Sequence, residues 1–129
     1  MKKLCIAFLT ASLLTGCAVP AEQGSYRQVS MDTAIAMMET ETGYILLDVR
    51  TAEEFVEKRI PGAINIPNES IGTAAIPELP DKAQLILVYC RSGRRSKQAA
   101  EKLAALGYTN IVEFGGIIDW PGETVSGEA

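Results

Sequence analysis

Apolar positions along this chain gather into short runs, and helix-cap or turn residues punctuate the polar stretches between them. Tyr26 to Val29 has the length of a first short strand. Ser30 is placed as an N-cap, and Ala34, Met37 and Met38 give a helix over Met31 to Thr40 its apolar face. Thr42-Gly43 ends it. Tyr44-Ile45-Leu46-Leu47-Asp48-Val49 is apolar almost throughout, as a parallel strand covered on both faces should be. Thr51-Ala52-Glu53-Glu54 then reads as a capping box opening a short helix to about Lys58. After the turn at Ile60-Pro61-Gly62 comes a strand over Ala63 to Ile66, then a helical stretch over residues 68–76, then a loop bracketed by Pro77 and Pro80. Leu85 to Tyr89 is a buried strand, Lys97 to Leu106 an amphipathic helix, and Gly107 suits the position after its end. Ile111 to Glu113 is a last strand, Gly115-Gly116 a tight turn, and Ile117 to Trp120 a final helical turn. Trp120 reads as core, and the tail after Pro121 as frayed. Strands alternating with helices predict an α/β fold with a largely parallel central sheet flanked by helices.

The start of the chain has a different pattern. Met1-Lys2-Lys3 is basic, and Leu4 to Leu14 is an apolar stretch of eleven residues, too short to span a bilayer alone. It reads as a cleaved export signal. Its end, Leu14-Thr15-Gly16-Cys17, resembles the bacterial lipobox, which implies removal of residues 1–16 and acylation of Cys17. The other reading is an ordinary secretory signal cut near Cys17. With more than one acyl chain, Cys17 would anchor the protein stably to a membrane. Ala18, not being aspartate, implies the periplasmic face of the outer membrane if the envelope is Gram-negative. Residues 17–25 then form the acylated N-terminus and tether, 26–122 the domain and 123–129 the tail.

With 129 residues, 47% of them hydrophobic and 22% charged, the chain suits one globular domain. Twelve basic and sixteen acidic residues give a net charge of −4, and loss of Lys2 and Lys3 with the signal would take it to −6. The basic residues cluster only at positions 91–95, so no nucleic-acid partner is expected. There is no histidine. That excludes Cys-His and Ser-His pairs and histidine metal sites, and no metal or cofactor is expected. Of the three cysteines, processing would remove Cys5 and lipidate Cys17, leaving Cys90 as the only free thiol.

Cys90 ends the strand at Val88-Tyr89 and opens the loop Arg91-Ser92-Gly93-Arg94-Arg95-Ser96 before a helix. Amide N–H groups, the helix dipole and three arginines all favour thiolate over thiol there, so Cys90 is the candidate nucleophile. Asp48 stands at the corresponding end of its own strand, where α/β sheets present their sites.

Five segments in order resemble a single rhodanese (sulfurtransferase) domain, from about Gln28 to Trp120. They are Leu46-Leu47-Asp48-Val49-Arg50 with Glu54-Phe55; Ile60-Pro61-Gly62-Ala63-Ile64-Asn65-Ile66-Pro67; Cys90-x-x-Gly93-x-Arg95-Ser96; Gly107-Tyr108; and Gly115-Gly116 with Trp120. Lys58-Arg59 stands where the family often has Gly-His, which leaves the nucleophile unaffected. The resemblance implies that Cys90 takes a sulfane sulfur from a small anionic donor such as thiosulfate, holds it as a persulfide, and yields it to a thiol or cyanide acceptor. Amides from Arg91 to Ser96 would form an anion nest, helped by Gly93.

Arg95 is assigned an inward role, with Asp48 as its best partner. Arg91 and Arg94 either attract anionic donors or are plain solvated charges. Asp48 and Arg50 read equally as a structural ion pair capping the strand, and Glu54 and Phe55 as structural. Two rival functions stand beside sulfur transfer. A cysteine-dependent phosphatase uses C-x5-R, whereas Cys90 and Arg95 make C-x4-R, a smaller cradle. A non-catalytic sulfur carrier or redox sensor would keep the same loop. A monomer is expected.

Overall fold

The computed structural model describes residues 25–128; the expected signal, the lipobox and Cys17 lie outside them. Five parallel strands form one sheet: β1 (Arg27–Gln28), β2 (Ile45–Asp48), β3 (Ile64–Asn65), β4 (Ile86–Cys90) and β5 (Ile111–Gly116), in the order β1-β5-β4-β2-β3. Three helices connect them: α1 (Met31–Thr40), α2 (Ala52–Glu57) and α3 (Arg94–Ala105). The fold is the α/β arrangement expected from the alternation of elements.

The central strand β4 is buried along its whole length. Strand side chains alternate between faces, so its even and odd positions join different cores. Ile86, Val88 and Cys90 pack with Leu47, Val49, Ala99, Ala100 and Leu103 beneath α3. Leu87 and Tyr89 pack with Leu46, Val112, Phe114 and Ala34 beneath α1. Each face buries several large aliphatic side chains, worth about 1.5–3 kcal/mol apiece.

Local capping chemistry sets the helix starts. Ser30 Oγ accepts the Thr33 N–H at 3.1 Å to begin α1. At α2, Thr51 Oγ1 accepts from Glu54 N at 3.2 Å and Glu54 Oε1 accepts from Thr51 N at 2.9 Å, the reciprocal pair expected from the sequence.

Strand β5 runs to Gly116 instead of ending at Glu113, and three further stretches differ from expectation. Residues 68–76 hold only a single 3₁₀ turn, Asn68–Ser70, because Ile71 leaves it in extended conformation to bury its side chain. Helix α3 starts at Arg94, three residues early, so Ser96 lies inside it and is buried. The tail is tied down as far as Gly127 by an antiparallel bridge between Arg59 and Val125 and by the bond from Gly127 N to Val56 O at 2.8 Å. Backbone pairing of that kind holds a terminus irrespective of its polar composition.

Candidate active site

Cys90 is the last residue of β4, and the turn Arg91-Ser92-Gly93 carries the chain into α3. Gly93 has φ 116°, in the left-handed region that side chains resist, and this conformation turns its N–H back on Cys90. That N–H donates to Cys90 Sγ at 3.0 Å, and the sulfur lies 3.4 Å from Ser96 Oγ. The sulfur therefore meets a donating amide, the Gly93 N–H, at the N-terminus of α3, a setting that suits an anion, while Ser96 Oγ is placed to accept from it. Of the expected nest of amides, the Gly93 N–H is the one in hydrogen-bond contact with Sγ. Cys90 is 1% exposed, while Arg91, Ser92 and Arg94 above it face solvent.

The floor of this turn is β5. Cys90 pairs with Gly116, and β5 spends one extra residue between Glu113 and Gly116 relative to Val88 and Cys90. Gly116 lies so close to the turn that a Cβ there would sit 1.9 Å from Arg91 O. The Arg91 carbonyl also accepts the Ile118 N–H at 3.2 Å. The reading of Gly115-Gly116 as a turn missed this close approach.

Arg95 does not meet Asp48. It forms a two-pronged ion pair with Glu54 of α2, Nη1 to Oε1 at 2.8 Å and Nη2 to Oε2 at 3.1 Å. These bonds hold the Glu54 carboxyl at about 2, against the opposing effect of burial and with help from Thr51. They likewise raise Arg95, with smaller contributions from Cys90 and Glu69. Glu54, read from the sequence as structural, is thus the anchor of the cysteine loop's last arginine. Strand parity explains the correction: Asp48 shares a face with Leu46, whereas Cys90 shares the opposite face with Leu47 and Val49.

Asp48 instead pairs with Arg50, both buried. Asp48 Oδ2 accepts from Arg50 Nη2 at 2.6 Å, Oδ1 accepts from Arg50 Nε at 3.0 Å and backbone N at 2.9 Å, and Arg50 Nη2 also reaches Lys58 O. This is the structural pair and strand-end cap allowed for above. Tyr89 lies beside it, 5.8 Å from the guanidinium, and donation of the Ile60 N–H to its hydroxyl completes the cluster. Burial, and then Asp48, push the Tyr89 phenol well up. Trp120 is half-buried against the α1-side core, and its Nε1 donates to Glu123 O at 2.8 Å.

One buried group was not anticipated as part of the site. Glu113 is 2% exposed, and its Oε2 accepts from Ser96 Oγ at 2.5 Å and from Gly115 N at 2.9 Å. The signal was available: alternation from Ile111 puts residue 113 on the α3 face. A strand ending at Glu113 would have left it at the rim, but β5 continues to Gly116.

A search for relatives agrees with this geometry. The chain is 40% identical over 73 residues to the thiosulfate sulfurtransferase PspE of Escherichia coli, covering 57% of this chain and 70% of that one. It is 33% identical over 97 residues to the thiosulfate sulfurtransferase GlpE of Actinobacillus succinogenes, covering 74% and 85%. A solved E. coli rhodanese with anions superimposes with a TM-score of 0.60 at 37% identity, over 65% of this chain and 99% of that one. The rhodanese-like domain family matches residues 30–122. The chain belongs to the rhodanese-like domain family and is a rhodanese-type sulfurtransferase.

Proposed function

We propose that this protein moves a sulfane sulfur from a small anionic, thiosulfate-like donor to a thiol or cyanide acceptor through a persulfide on Cys90. The observation that carries the reading is the sulfur at the end of β4, touched by the Gly93 N–H at 3.0 Å beneath a turn whose arginines face solvent. Arg91 and Arg94 draw the anionic donor in. Cys90 Sγ, as thiolate, attacks the donor's outer sulfur; a new S–S bond forms, the donor's own S–S bond breaks, and its electron pair leaves with sulfite. The persulfide carries one negative charge, as the thiolate did, so the Gly93 N–H serves both states. An acceptor thiolate or cyanide then takes the outer sulfur and restores Cys90.

Phosphatase chemistry fits less well. Its loop needs a terminal arginine free to clasp phosphate, and Arg95 is occupied by both oxygens of Glu54. A sulfur carrier without fast turnover would use the same persulfide, and steady-state thiosulfate-to-cyanide assays separate it from an enzyme. The first test is the intact mass after incubation with thiosulfate. A gain of one sulfur is expected on wild type and none on C90S; no gain on wild type, or the same gain on C90S, refutes the proposal.

We further propose that the protein is exported and held on the bacterial cell envelope by acylated Cys17, on the lipobox pattern of Leu14 to Cys17. Membrane fractionation tests this: C17S should be released, and retention of C17S rejects the anchor.

A further inference from the structure

Arg95 is the last arginine of the cysteine loop and sits in the first turn of α3, two residues past Gly93, whose N–H donates to Cys90 Sγ. A guanidinium has the planar fork that grips a tetrahedral oxyanion through two parallel N–H bonds. Here Glu54 takes the fork, with Nη1 donating to Oε1 at 2.8 Å and Nη2 to Oε2 at 3.1 Å. The carboxylate is oriented independently of Arg95. Its Oε1 also accepts the Thr51 N–H at 2.9 Å and the Thr51 hydroxyl at 3.1 Å, bonds that belong to the start of α2. The Arg95 and Glu54 side chains are 19% and 28% exposed, so a dissolved anion can reach the fork. Cys90 and Glu69 also lie within electrostatic reach of Arg95.

We propose that Glu54 is a specificity-determining residue, which keeps oxyanions from lodging at Cys90 by engaging Arg95 on α2. This role rests on the sulfur transfer proposed above. Transfer needs room for a single sulfur atom at Cys90 Sγ, and the leaving group of a thiosulfate-like donor is sulfite, itself an oxyanion. A free guanidinium in the loop would clasp that sulfite, and would clasp phosphate or sulfate equally well. A loop so occupied admits no donor. A carboxylate carried on α2 and already oriented competes for the fork at an effective concentration that a dissolved oxyanion does not match. Arg91 and Arg94 face solvent and still draw the donor in by longer-range attraction, and sulfite is then free to leave. Glu54 acts through Arg95 and is a positioning residue, with no contact to the sulfur.

The test is protection of Cys90 from iodoacetamide by inorganic phosphate, read by mass spectrometry of the Cys90 peptide in the full chain, with chloride holding the ionic strength constant. E54Q keeps an oxygen for the Thr51 N–H and removes the charge that holds the fork. Hydrogen bonds from a charged group correspond to roughly tenfold or more in binding, so phosphate should half-protect E54Q at a concentration about tenfold or more below that for wild type. E54Q/R95Q should lose this gain, which assigns it to the freed guanidinium. E54Q/E69Q prevents recapture of Arg95 by Glu69 and should gain at least as much as E54Q. Should E54Q fail to fold, E54A takes its place, because the residue 54 N–H still bonds to Thr51 Oγ1 and alanine is the best helix former. A pair that only ties α2 to α3 would weaken the fold on losing Glu54 and create no affinity for phosphate. Half-protection at the wild-type concentration in both E54Q and E54Q/E69Q, or a gain that survives R95Q, overturns the proposal. The readout involves no sulfur transfer. If wild type takes no sulfur from thiosulfate while E54Q gains phosphate binding, the proposed function falls and the control of Arg95 by Glu54 stands.

Discussion

Replacing Gly116 by alanine should disable the site while leaving Cys90 and every charged residue in place. The backbone at Gly116 is ordinary extended chain, with φ −145° and ψ 160°, so the substitution introduces no conformational strain. The obstacle is steric. The new methyl carbon would sit 1.9 Å from Arg91 O, 2.2 Å from Arg91 C and 2.5 Å from Ser92 N, where contacts of 3.4 Å or more are ordinary. Those atoms are backbone and cannot swing away, so the Arg91-Ser92 turn must lift by about 1–1.5 Å, an overpacking cost of roughly 1–3 kcal/mol. The lift carries the Gly93 N–H off the sulfur, and a displacement of about 1 Å in a reacting site costs on the order of a hundredfold in rate. Gly115 is the control. It has φ 100°, a conformation alanine adopts at a cost of about 1–2 kcal/mol, but nothing lies within 4 Å of its Cβ position. G115A should lower the melting temperature by an amount comparable to G116A, yet keep its persulfide-loading rate within a few-fold of wild type. Thermal melts and time-resolved intact mass with thiosulfate measure both quantities. A G116A protein that loads sulfur at the wild-type rate would refute the claim that this close approach shapes the site.

Two further outcomes follow from the ion pairs. The Glu54 carboxyl is held at about 2 by Arg95, so the stabilisation is fully present above the ordinary value of 4.5 and is lost as pH falls from there through about 2. The pair is partly solvated, so roughly 1–2 kcal/mol is expected once screening is allowed for; E54Q should melt below wild type at pH 6 and approach it near pH 2, whereas a gap that stays constant with pH would contradict the assignment. At the other pair, D48N leaves the Arg50 guanidinium buried without its counter-charge and should destabilise by about 3–5 kcal/mol, measured by urea unfolding; a loss under 1 kcal/mol would mean that the Lys58 carbonyl and Tyr89 suffice to hold Arg50.

Cys90, its loop and the order of the elements could be read along the chain because each depends on neighbours in sequence. Apolar runs with flanking caps define strands and helices locally, and Cys90 with Gly93 and Ser96 spans less than two helical turns. Partners across the sheet could not be read the same way. The sequence puts both Asp48 and Arg95 near the carboxyl end of the sheet, and proximity alone makes them a pair. Alternation of side chains then sends Asp48 to the α1 face and Cys90 to the α3 face, so Arg95 turns to Glu54 on α2. Glu113 was hidden for a related reason: its burial depends on β5 running three residues past it and on α3 starting early enough to bring Ser96 over its carboxyl. Gly116 looked like half of a turn, and only the pairing of β5 with β4 makes it the floor on which the cysteine turn rests. What the residue order by itself determined is the place of Cys90 and the elements that carry it. Which charges surround Cys90 was decided by strand parity and register, properties that exist only once the strands have paired.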